Sequence, residues 1–237
     1  MNPFETTPDS RFQATSLATA GRVSTFLRRV YGWMFFGLAL TGLVAMGMAS
    51  NPAVVIGFAR NPVLFFGLII AELGLVVYLS ARVLKMSPAA AAGAFIAYAA
   101  LNGVLFSTIF LAYTMTSIAS TFFITAGMFG GLALFGTVTK KSLAGIGSFV
   151  SMGLIGLILA MIVGMFVHSD GLQFAISIIG VIVFTGLTAW DAQRLKAMAV
   201  ATPEGVVANI AILGALQLYL DFVNLFLFLL RFMGRRR

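Results

Sequence analysis

The stretch Val207–Phe232, VANIAILGALQLYLDFVNLFLFLLRF, decides the fold. As a helix rising about 1.5 Å per residue it outspans a hydrocarbon layer about 30 Å thick. Yet it is not uniformly apolar. Gln217, Asp221, Asn224 and Arg231 follow i, i+4, i+7, i+14 spacing, which confines them to a sector of about 80°. One face of an otherwise apolar helix is therefore polar from mid-membrane to one surface. Lipid cannot satisfy such a face, so it must meet protein or water. The pattern predicts a helix at the centre of a bundle, with the rest of the chain around it.

Six further runs of spanning length precede it: Tyr31–Ser50, Val63–Ala81, Ala89–Ala112, Ile118–Phe135, Leu143–Val167 and Leu172–Trp190. Punctuation such as Asn51-Pro52, Asn61-Pro62, Ser87-Pro88 and Thr202-Pro203 separates them. The 237 residues are 60% apolar and 9% charged, against about 45–50% and about 25% in soluble domains. A soluble core of this size cannot bury so much apolar surface. Soluble enzymes, disordered chains and nucleic-acid-binding domains are excluded on that ground, in spite of a net charge of +8. Continuous apolar runs also exclude an outer-membrane barrel, which needs short alternating strands. The expected fold is all-α: a polytopic seven-helix bundle over residues 30–232, with the C-terminal helix central. Residues 1–29 are expected as a polar, disordered, cytoplasmic leader, and 233–237 as a basic tail.

Loop charge gives the orientation. Arg11, Arg22, Arg28, Arg29, Arg82, Lys85, Lys140, Lys141, Arg194 and Lys196 fall on the side of the N-terminus; Arg60, Arg231, Arg235, Arg236 and Arg237 fall on the other. The positive-inside rule then places the N-terminus in the cytoplasm and the C-terminus outside, in a bacterial inner membrane. Tyr31–Ser50 reads as an uncleaved anchor, because the polar leader lacks the apolar core and cleavage site of a signal peptide. The chain has no cysteine, hence no disulfide or thiolate site. His168, beside Asp170, is expected as a solvated loop residue. Gly127 and Gly131 have the spacing of a close helix–helix approach. The 23 Phe and 12 Met are expected to face lipid and fill gaps, with no cofactor.

Charge in hydrocarbon is costly, so the few ionisable residues inside the runs point to function. They are Glu72 near the middle of the second run, Arg82 at its inner end, Asp191 at the end of the sixth, and Asp221 and Arg231 in the seventh. From the residues alone, Arg231 also reads as snorkelling to headgroups and Asp191 as an interfacial carboxylate beside Arg194. The segment LYLDFVNLF at 218–226 with Leu229-Leu230-Arg231, preceded by Trp190-Asp191-Ala192-Gln193, resembles the Bax inhibitor family in a bacterial member. That resemblance implies a central C-terminal helix and a pH-sensitive, calcium-permeable leak. It implies Asp191 and Asp221 as a paired pH sensor, Arg82 as a basic latch on Asp191, and Glu72, Asn224 and Arg231 along the ion path. Asp221 and Glu72 would give calcium transient oxygen ligands. Two carboxylates close together at low dielectric cannot both ionise cheaply, which makes the assignment coherent. In straight helices, however, Asp191 would lie about 28 Å and Asp221 about 15 Å from the outer end, so pairing needs tilt, a kink or shifted boundaries.

No enzyme is expected. An aspartyl intramembrane protease would carry Gly-x-Gly-Asp, whereas Asp221 follows Leu218-Tyr219-Leu220; a serine protease would need a membrane His, and a retinal protein a membrane Lys. Two other readings stand beside the leak. One is a proton-coupled cation antiporter, since titrating carboxylates serve exchange too. The other is a regulatory protein that modulates a membrane protease or stress pathway through contacts of its leader. Expected partners are lipid, calcium and protons, with a membrane protein in the regulatory reading, and no nucleic acid.

Overall fold

The computed structural model describes residues 8–167 and 169–237, with side-chain surroundings from residue 17 onward except at Glu204; His168 lies outside the described residues. The helices are α1 (Pro8–Ala49), α2 (Pro52–Arg60), α3 (Pro62–Arg82), α4 (Pro88–Phe106), α5 (Ile109–Ala112), α6 (Met115–Val138), α7 (Ala144–Phe166), α8 (Asp170–Ala201) and α9 (Val207–Met233). Seven stretches are long and apolar enough to cross a membrane: α1 from Leu17, α3, α4 with α5, and α6 to α9. Proline opens α2 to α4, where its missing N–H and fixed φ do no harm.

Helix α9 is the hub. Of its most apolar window 72% is buried, against 44% or less in every other span. It packs against α8, α1, α6 and α4, whereas α7 packs on α8 and α3 on α4. The centre expected from the polar face of the seventh run is thus the centre found.

Two boundaries differ from the sequence reading. Residues 8–29, expected as disordered, continue α1 without a break. Ala, Leu, Gln and Arg are good helix formers, and a helix already nucleated in the membrane propagates into them at no nucleation cost. Phe26 and Val30 are buried in the main core, and Arg22 donates to the Thr202 carbonyl at 3.2 Å, so the end of the leader is docked where α8 ends and α9 begins. The sixth span also runs past Trp190 to Ala201, which places Asp191 inside a helix rather than at its end.

Close approaches are made by glycines other than the pair singled out. A Cβ at Gly127 or Gly131 would meet nothing within 4 Å, whereas one at Gly136 would fall on the Ala189 carbonyl and one at Gly147 on the Trp190 ring. Helix α8 is thereby drawn against α6 and α7. Its inner end is fixed further by Gln193, which donates to the Lys141 carbonyl at 2.9 Å and accepts from the Leu143 N–H at 2.8 Å. Arg194 lies over the Trp190 ring, 5.5 Å from its centroid. At the opposite end of the bundle the basic tail is held by backbone bonds: Thr114 N–H to the Arg235 carbonyl at 3.1 Å and Arg237 N–H to the Ala112 carbonyl at 3.0 Å.

Candidate ion path

Asp191 of α8 and Asp221 of α9 are brought together. Both are buried, 8% and 4% exposed, and their carboxyl groups are close enough to share a hydrogen bond. No N–H or O–H donor reaches Asp221 Oδ2; a proton held between the two carboxyls would fill that place. The depth mismatch in straight helices is resolved by the course of α8. Phe174 meets Phe232 near the outer end, with ring centroids 5.6 Å apart, and Asp191 meets Asp221 further in. From the aspartates to the Phe184–Phe228 contact the two helices advance equally, and the extra length of α8 lies between that contact and Phe174.

Arg82 does not join the pair. It is exposed at the end of α3, and the cation acting on Asp191 is Arg194, one turn along the same helix. The inner end of the second span is tied to the hub by another residue. Buried Asn209 of α9 donates to the carbonyls of Val83 at 2.6 Å and Met86 at 2.8 Å, satisfying acceptors that the end of α3 leaves open. Nothing in the sequence marks Asn209 except that it is polar in an apolar run. Asn209→Ala would take the donor from the half-buried Met86 carbonyl and leave the Val83 carbonyl only the Met86 N–H at 3.4 Å, a loss of about 1–3 kcal/mol. A clear loss of thermal stability in detergent is expected, with Arg82→Ala as the nearly neutral comparison.

Glu72 lies in a second cluster, apart from Asp221. Its Oε2 accepts from Asn102 Nδ2 at 3.3 Å, and Asn102 also donates to the Tyr98 hydroxyl at 3.1 Å. Tyr98 packs edge-on against Tyr219, whose hydroxyl bonds Thr41 Oγ1 at 2.7 Å; Thr41 in turn donates to the Ala99 carbonyl. Tyr219 and Asp221, two residues apart, project from nearly opposite sides of α9. Glu72 and Asp221 therefore do not form one calcium site, and among the described residues no group of three or more acidic or histidine side chains is placed to hold a metal ion. Sequence reading missed Asn102, Tyr98, Tyr219 and Thr41, because no polar stripe marks the third span.

Of the remaining path residues, Asn224 is half-buried and donates to the Leu220 carbonyl of its own helix. Arg231 is exposed at the outer end and donates to Gln173 Oε1 at 3.2 Å. Gln217, one turn inward of Asp221, has a buried Oε1 without a donor. Arg231, Asn224 and Gln217 thus flank Asp221 along α9, from its C-terminal end to one turn beyond the aspartate.

A family model described as inhibitor of apoptosis-promoting Bax1 matches residues 23–237. The chain is 48% identical over 218 residues to the inner membrane protein YbhL of Escherichia coli K12, covering 91% of this chain and 93% of the relative. It is 43% identical over 232 residues to a protein of Rickettsia prowazekii, covering 94% and 97%. It is 34% identical over 215 residues to a membrane protein of Streptococcus pyogenes, covering 90% and 93%.

Proposed function

The chain belongs to the Bax inhibitor family of multi-pass membrane proteins, and from that premise we propose that it is a pH-sensitive, calcium-permeable leak. In this reading it lies in the inner membrane with its N-terminus in the cytoplasm, and the Asp191–Asp221 pair is its sensor. The observation that carries the reading is the meeting of these two carboxyl groups between α8 and α9, the two most buried spans of the bundle. Two buried acids with no cation of another helix against them are an unstable arrangement unless a proton is shared.

The sign follows from the bond. With one proton between them, the acids form a charge-assisted hydrogen bond that holds α8 to α9, and such bonds are about twice as strong as neutral ones. A second proton leaves a neutral pair, replaces that bond by a weaker neutral one, and loosens α8 from the hub. Acid therefore opens the path. Calcium is the chosen cation because carboxylate and amide oxygens are hard ligands, and a leak needs few and weak ones.

The test is calcium flux into liposomes holding purified protein, stepped from mildly alkaline to mildly acidic pH. Wild type is expected to leak faster as pH falls. The double variant Asp191→Asn with Asp221→Asn, neutral at every pH, should lose that dependence and leave flux raised at neutral pH, whereas either single substitution keeps an amide bonded to the remaining carboxylate and should stay tight at neutral pH. Folded protein that gives no flux at any pH would sink the leak, as would flux whose pH dependence survives both substitutions.

A further inference from the structure

The aspartate pair is enclosed between two apolar layers, each seated on a glycine. Phe184, Thr188, Asp191 and Leu195 recur at three- and four-residue spacing and so share one face of α8. On the inner side, Leu195 fills the space over Gly214 of α9: a Cβ there would stand 2.5 Å from its Cδ2 and 3.4 Å from Cγ2 of Val30. Leu195 and Val30 are both wholly buried, and Phe26 extends the layer. On the outer side the Phe228 ring lies over Gly180, where a Cβ would come within 2.5 Å of it. That ring stacks on Phe184 with centroids 5.8 Å apart and planes 26° from parallel. Between the layers stand the two aspartates and the wholly buried Thr188, whose hydroxyl is spent on the Phe184 carbonyl at 2.7 Å.

An apolar constriction passes water and hydrated ions only when it widens enough to wet. Glycine at 180 and 214 lets a large side chain of the opposite helix fill the path, and the same contacts part when α8 moves from α9. We propose that Leu195 with Val30 over Gly214, and Phe228 with Phe184 over Gly180, are the inner and outer gates of the path, with the aspartate pair shut between them. The inner gate includes a residue of the first span, so its opening depends on α1 as well as on α8. The role given to these layers rests on the leak reading; the enclosure itself is tested without ions.

The chain has no cysteine, so Thr188→Cys, close in volume, is a single reporter between the layers. Its modification by a membrane-impermeant methanethiosulfonate is followed by mass spectrometry in right-side-out and inside-out membrane vesicles. The reporter alone should react slowly from either side. Adding Leu195→Ala should speed the reaction by about tenfold or more from the inner side only, and adding Phe228→Ala likewise from the outer side only. Leu195→Val, which keeps the layer apolar and filled, should remain slow and controls for misfolding. Unchanged rates in both truncated variants would overturn the gates. So would acceleration from both sides at once in a variant as heat-stable as the reporter. One-sided acceleration without a rise in calcium flux would keep the gates and defeat the leak.

Discussion

Tyr219→Ala is expected to destabilise the protein by about 3–5 kcal/mol, the range for loss of a large buried aromatic. Tyr219 is wholly buried, and its ring meets Phe95 and Tyr98 edge-on at centroid distances of 5.9 and 5.6 Å. Edge-to-face pairs add about 0.5–1.5 kcal/mol beyond area burial. The hydroxyl is a smaller part of the whole. Tyr219→Phe removes only its bond to Thr41, and Thr41 keeps the Ala99 carbonyl as acceptor; a cost of about 1 kcal/mol is expected. The two variants are compared by the fraction of folded protein left after heating in detergent. A Phe variant as damaged as the Ala variant would show that the hydroxyl bond to Thr41, rather than aromatic packing, holds this side of the hub.

The second large effect is expected at Gly136. Helix α6 touches the backbone of α8 there, so a side chain would collide with a carbonyl group, not with a side chain able to turn away. Gly136→Leu must push α6 off α8 next to Trp190 and Asp191, at a cost of about 1–3 kcal/mol or more. Gly127→Leu, nine residues earlier on the same helix, points into open space and should change stability by no more than about 0.5 kcal/mol. Thermal unfolding in detergent separates them. Equal melting behaviour would mean that α6 and α8 are not in backbone contact at Ala189.

The pair of glycines also shows where sequence reading reached its limit. Gly127 and Gly131 carry the familiar spacing, but spacing cannot say which helix face has a neighbour. Gly136 has no motif around it, yet it is where the helices meet. The spans were legible because hydropathy over some twenty residues is a strong signal, and the hub was legible because a polar face in hydrocarbon admits one explanation. Asp191 and Asp221 were legible through their motifs. Their pairing was implied by resemblance, but its geometry was not legible, since it depends on the register of α8 against α9 and on an extension through Gln193, Arg194 and Lys196 that reads as loop by charge alone. Arg82 was chosen as the partner of Asp191 by resemblance, whereas Asn209 makes the tie to the inner end of α3 by a geometry that sequence does not encode locally. The Glu72 cluster depends on which faces of α3 and α4 oppose one another, and both helices are too evenly apolar to disclose it.

The unbroken course of α1 has a mechanical consequence. A helix of 42 residues is a rod about 63 Å long, roughly twice the thickness of the layer it crosses. Phe26 and Val30 sit near its middle, at the inner edge of the bundle, so the rod is a lever with its fulcrum close to the contact with Leu195. Sideways force on the protruding arm would be felt at that contact as torque. The family match begins at residue 23, which leaves most of the arm outside it. A tether or binding partner at the far end would thus have purchase on the interior of the bundle without entering the membrane.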